Sequence, residues 1–262
     1  MLMRAAIVIP AFNEARTIRD VAQRSLRQCE TVIVVDDGST DGTGQTLGGL
    51  PIVLLRHESN RGKAAALCTG FAYALAHDAE TVVTLDGDGQ HKPEDVPRLI
   101  AAARLYPHRL IVAARLLGRE QYPRARYLAN RFADFWLSWA AGHAIADSQS
   151  GQRLYPAVLL KQLWLRHDKG AAFTLESEIL IDAARLGYTC VCVPIWAIYN
   201  PTGRRSHFRP VRDIARIVRM VSYRLLTTAM NLPGLWRCLR QSPCVVDSPQ
   251  IAEPAEPAAG RA

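Results

Sequence analysis

The chain has 262 residues, 49% of them apolar and 21% charged, with a formal net charge of +8. That size and apolar share suit one sizeable domain or two small ones, and exclude disordered, collagen-like and disulfide-scaffold classes. A membrane crossing needs about 20 clean apolar residues, and the two best stretches fail: Asp134 and His143 interrupt one, Arg224 and Asn231 the other.

The first residues, MLMRAAIVIPAFNE, read as an opening strand and not as a signal peptide. Short β-branched runs then alternate with segments of helical period. Strands are predicted at 5–10, 31–36, 52–55, 81–85 and 110–113, with helices at 14–28, 62–77 and 93–105 between them. Such alternation predicts an α/β fold, a mostly parallel sheet with helices on both faces. Its ligands belong beyond the carboxyl ends of the strands. Further on, a helix rich in aromatics is predicted at 124–142, another helix at 173–186 and a late strand at 188–195. The span 211–232 reads as one long amphipathic helix, with apolar residues at 214, 217, 218, 221 and 225 and Arg212, Arg216 and Arg219 on another face. From Gln241 the composition turns to Pro, Ala and Glu and reads as a disordered tail. The expected division is a catalytic domain over 1–210, a basic helix over 211–240 and a tail over 241–262.

Charge is concentrated late. Between Gly203 and Arg240 nine Arg stand against one Asp, enough to account for the whole excess. A localised basic segment points to an anionic partner: phosphate, nucleic acid or an anionic membrane surface. No DNA- or RNA-binding signature accompanies it, so nucleic acid is the remote alternative. The six Cys include no CxxC pair and read as reduced thiols of a cytoplasmic protein.

The chemistry concentrates at the predicted strand ends. Asp86-Gly87-Asp88 follows the strand at 81–85, and two carboxylates at i and i+2 can converge on one hard divalent cation. A plain turn would also favour Asp and Gly there. An EF-hand is excluded, because His91 and Pro97 stand where Gly and Glu are required. A P-loop at Gly62-Lys63 is excluded by His57 and Ala64, leaving a helix start that could face an anion. No GxGxxG follows the first strand, which argues against dinucleotide binding.

The segments IVIPAFNEARTI, VIVVDDGSTDGT, NRGKAAAL and TLDGDGQHKPED, in that order, closely resemble glycosyltransferase family 2. Asp147–Arg153 resembles the D-x-x-S-G-x-R element of its dolichyl-phosphate mannosyltransferase-like branch, and 199–210 the Y-x-P-x-G…S-H-F ending of a bacterial subgroup. The resemblance implies a GT-A fold and inverting transfer from a nucleotide sugar of the GDP-mannose or UDP-glucose type, assisted by Mg²⁺ or Mn²⁺. It implies that Pro10, Phe12, Glu14 and Asp37 line the nucleotide pocket, and that Asp86, Asp88 and Gln90 serve metal and diphosphate. Arg115, Arg153, Arg205 and His207 fall where the family uses groups near phosphates. Glu178 matches its widespread carboxylate, a base or an acceptor contact; Glu176 beside it reads as helix-start charge. Phe12 replaces a frequent Tyr and Gln152 a usual Phe. The implied acceptor is lipid-linked, a polyprenyl phosphate, with a hydroxyl acceptor as the alternative. The implied location is the inner face of the membrane, as a peripheral protein.

Overall fold

The computed structural model describes residues 3–118, 124–163, 175–198 and 210–246. Seven strands form one sheet: β1 (Ala5–Ala11), β2 (Thr31–Asp36), β3 (Val53–Arg56), β4 (Thr81–Thr84), β5 (Leu110–Leu117), β6 (Arg153–Pro156) and β7 (Cys190–Trp196). Their order is β3-β2-β1-β4-β6-β5-β7, all parallel except β6, which runs against both β4 and β5. The α/β reading therefore holds.

Successive residues of a strand face opposite ways, and both faces of the sheet are covered. Ile7 and Ile9 of β1 join Val32 and Val34 against α1 (Ile18–Leu26), which presents Ile18, Val21, Ala22 and Ser25 at helical spacing. Ala6 and Val8 turn the other way, onto Leu67 and Phe71 of α3 (Lys63–Ala76). Strands buried on both faces are the reason β1, β2 and β4 read as unbroken apolar runs and not as alternating ones.

Helix α2 (Thr43–Thr46) follows β2, α4 (Val96–Leu105) precedes β5 and α6 (Ala157–Gln162) follows β6, and the later elements build a further layer. Helices α5 (Arg124–Ala141), α7 (Leu175–Arg185) and α8 (Pro210–Leu226) share a small core of Leu137, Trp139, Ala140, Ile181, Val221 and Leu225. Arg224 of α8 reaches Asp182 of α7 at 2.8 Å.

Two expectations are corrected here. The helix expected over 211–232 ends at Leu226, and a second one, α9, spans Leu232–Arg240. Ala229, Met230 and Asn231 between them have positive φ, and the Asn231 side chain accepts from Gly234 N to start the new helix. Pro233, lacking an N–H, sits in the first turn of α9, where a proline is tolerated. The ordered chain also runs past Gln241: Cys244 O and Val246 N bond to Cys192 of β7, at 2.8 and 2.9 Å, and Val246 is buried.

Candidate active site

β4 delivers Asp86, Gly87 and Asp88 beyond the carboxyl end of the sheet. Asp86 takes an ion pair from Lys63 Nζ at 2.6 Å, and the same ammonium lies 3.0 Å from Glu176 Oε2. Lys63 opens α3 and Glu176 lies in the first turn of α7, so two helix starts meet over one strand end. About 25% of the Lys63 and Asp86 side chains stays open to solvent, so the group forms the floor of a cleft. Glu176 Oε1 is buried with no partner among the described residues.

A second segment presses on this floor from β6. A Cβ on Gly151 would stand 2.2 Å from Asp86 Oδ2, so a side chain there would displace the carboxylate. Thr84 Oγ1 donates to Gly151 O at 2.8 Å and fixes that approach. His91, almost wholly buried, puts Nδ1 3.8 Å from Asp86 Oδ2 and Nε2 3.4 Å from Ser150 Oγ. Burial lowers the His91 pKa to about 4, holding the ring neutral.

Electrostatics divide the two aspartates. Burial works to raise the Asp86 pKa, but the Lys63 ammonium outweighs it and holds the group at about 2. Asp88 shifts the other way, raised by the protein crowded around it and then by repulsion from Asp86. A divalent cation relieves such repulsion. Among the described residues no three His, Cys, Asp or Glu gather into a metal cluster. Two carboxylates suit Mg²⁺ or Mn²⁺, which commonly take one or two from protein and the rest from phosphates and water. Gln90, expected as a third contact, closes the turn by donating its N–H to Asp88 Oδ1 at 2.9 Å.

The first two strand ends are laced to this site. Asn13, at φ +56°, donates its N–H to Ser39 Oγ and accepts from Thr40 N, both at 2.9 Å. Glu14 N donates to Thr43 Oγ1 at 2.8 Å, and Thr17 Oγ1 to Gly87 O at 2.7 Å. Pro10, Phe12 and Glu14 are partly exposed along this seam. Asp37 is not on its surface. It is 2% exposed and accepts from Arg61 N at 2.9 Å and Gly62 N at 2.7 Å, with His57 Nδ1 at 2.6 Å. It pins the loop that presents Lys63.

Both expected phosphate-side arginines that the structure describes are engaged internally. Arg115 meets Asp147 through Nε and Nη2, each at 2.7 Å. Arg153, 1% exposed, donates to the carbonyls of Ser150, Ser148 and Glu176 at 2.8, 2.7 and 2.6 Å. It fastens the 147–153 segment to the start of α7 and is a positioning residue. Arg205 and His207 lie outside the described residues. Glu178 stands about 200° round the helix from Glu176 and makes no ion pair among the described residues. The carboxylate in the cleft is Glu176. Lys63 and Glu176 are the cleft residues that the sequence left unassigned, although Gly62-Lys63 and the 176/178 pair were both visible signals.

Residues 6–154 match the model of Glycosyl transferase family 2. The chain belongs to this family. It is similar to the undecaprenyl-phosphate mannosyltransferase of Micrococcus luteus, 28% identical over 77% of this chain and 86% of that one. A UDP-N-acetylglucosamine–dolichyl-phosphate N-acetylglucosaminyltransferase of Methanococcus voltae is 28% identical over 74% of this chain and 85% of its own. Among solved structures, glucosyl-3-phosphoglycerate synthase of Mycobacterium tuberculosis with Mg²⁺ and UDP superposes with a TM-score of 0.58. It is 26% identical and the match covers 85% of this chain and 78% of that one. The fold is accordingly GT-A, and the chain is a glycosyltransferase.

Proposed function

We propose that this glycosyltransferase moves a sugar from a nucleotide-sugar donor, of the GDP-mannose or UDP-glucose type, to a polyprenyl phosphate with inversion. The observation that carries the reading is Asp86, next to Asp88 at the end of β4, joined through Lys63 to Glu176 on the floor of one cleft. Support for the acceptor comes from relatives named for undecaprenyl-phosphate and dolichyl-phosphate transfer. Support for metal use comes from the Mg²⁺–UDP complex of the structural neighbour and from the crowded carboxylates.

Asp86 and Asp88 would hold Mg²⁺ or Mn²⁺, which screens the diphosphate and assists its departure. The laced turns from β1 and β2 form the seam that receives the nucleoside. Inversion by single displacement needs the acceptor opposite the leaving diphosphate, and Glu176, bridged to Asp86 through Lys63, is the carboxylate that would receive it. A phosphate acceptor is anionic and attacks without losing a proton, so Glu176 orients it and the sugar. A hydroxyl acceptor would need Glu176 to take its proton, worth about 10² to 10⁴ in rate. That second reading is favoured by Glu176 Oε1, which has no partner among the described residues, and by a neighbour crystallised with phosphoglyceric acid.

Membrane docking belongs to the same proposal. No helix among the described residues is long and apolar enough to cross a membrane. Tyr223 and Leu226 of α8 and Leu232, Trp236 and Leu239 of α9 are 57–72% exposed, beside Arg219, Arg237 and Arg240. An apolar surface interleaved with Arg suits the anionic inner face of a membrane.

The test is a donor panel: purified protein, polyprenyl phosphate and several nucleotide sugars, with Mn²⁺ or with EDTA, reading nucleotide release. One donor should turn over only with the metal. Equal release in EDTA would remove the metal from the account, and release from no donor would overturn the activity.

A further inference from the structure

An apolar groove of about 340 Å³ runs between α5 and α8, lined by Phe132, Ala133, Trp136, Val218, Val221 and Gln149. That volume lies at the low end of ligand pockets, roughly 300–1,000 Å³. Phe132 and Val218 at its lips are 60% and 49% exposed, although both are large apolar side chains. The groove meets the active site through a shared wall. Gln149 belongs to the segment whose Ser150 touches His91 and whose Gly151 abuts Asp86. On the helix side, Asp134 neighbours Ala133 and accepts from Asp147 N at 3.1 Å and Ser148 N at 2.7 Å, clamping α5 to that segment.

We propose that this groove takes the hydrocarbon chain of the acceptor next to its phosphate. The inference rests on the lipid-phosphate reading above and adds the site that would select a long chain. A polyprenyl phosphate is a charged head on an apolar chain. Here a charged cleft and an apolar groove share one short segment, 149–151, and Val218 of α8 at the groove's lip is exposed. A water-soluble hydroxyl acceptor would need no such channel.

The experiment compares two acceptors, a long polyprenyl phosphate in detergent and a single-isoprene phosphate, on the full chain. Ala133→Phe fills the groove from α5, and Val218→Asp places a charge at its α8 lip, an exposed position where folding is tolerant. Each should raise KM for the long acceptor about tenfold or more, the order expected for displacing one or two buried methylene groups. KM for the short acceptor should stay within about twofold, and melting temperatures confirm folding. The proposal is overturned if both folded variants keep the wild-type KM for the long acceptor, or if both acceptors suffer equally. Should the wild type use no polyprenyl phosphate at all, the lipid-acceptor reading fails first and the groove loses its occupant with it.

Discussion

The two halves of the cleft are built on different principles. Around β1, β2 and β4 the walls are turns, fixed by backbone N–H groups bonded to Ser39, Thr43 and Asp37 side chains. Around α5, α7 and α8 the walls are helices held by apolar packing and by polar clamps such as Arg224–Asp182 and Asp134 on the backbone of Asp147 and Ser148. Turn geometry is short-range, and on the proposed reading it sets where a nucleotide and its diphosphate would lie. Helix packing can be resurfaced without disturbing the sheet, which suits the side of an enzyme that varies its acceptor. Lys63 and Glu176 are where the halves touch.

That division predicts separable defects. The largest falls on the nucleotide half: Asp88→Asn should cut turnover by about 10³, as loss of a charged group at the leaving diphosphate does. Its melting temperature should barely change, because Asp88 lies beyond the end of β4 and outside the apolar clusters. A large loss of stability would mean the carboxylate is a structural element. Next, Glu176→Gln should lower kcat about 10- to 100-fold with donor binding intact, whereas Glu178→Gln should stay within about threefold. The reverse ranking in steady-state kinetics would move the acceptor to the other face of α7.

Arg153→Met tests the joint between the halves. It strands three carbonyls, of Ser148, Ser150 and Glu176, in the interior. We expect a loss of about 3 to 5 kcal/mol in denaturant unfolding, the usual size for a broken buried network. An unchanged midpoint would contradict the clamp. The smallest effect is acid sensitivity on the helical side. Burial lowers the His143 pKa to about 4, while its Nε2 accepts from Cys190 N at 3.0 Å. The unfolded chain takes up that proton below about pH 6.5, and the folded one only near 4. Stability should therefore fall as pH drops through that window. His143→Gln should flatten part of the fall, with the His91 contribution remaining; an equally steep profile would rule His143 out.

The same contrast explains what the sequence disclosed. Buried parallel strands are local apolar runs, so β1 to β5 and their turns were legible, and Asp86 and Asp88 with them. β6 was not, because four residues opening with an arginine carry no strand signature. Arg153 is expected beside a phosphate; its inward role is hidden because its three acceptors are carbonyls, which have no sequence identity. Glu176 was masked by Glu178, since only the three-dimensional meeting of α3 with α7 tells which face is wet. The break between α8 and α9 could have been read from Asn231-Leu232-Pro233, a cap residue followed by a first-turn proline.

The most direct test of the central claim is the identity of the product. Protein incubated with its preferred nucleotide sugar, Mn²⁺ and a polyprenyl phosphate should yield one lipid carrying a single sugar on its phosphate, with the anomeric configuration opposite to that of the donor. Both features are read by mass spectrometry and NMR of the extracted lipid. Sugar found only on a hydroxyl acceptor, or retention of the donor configuration, would contradict it.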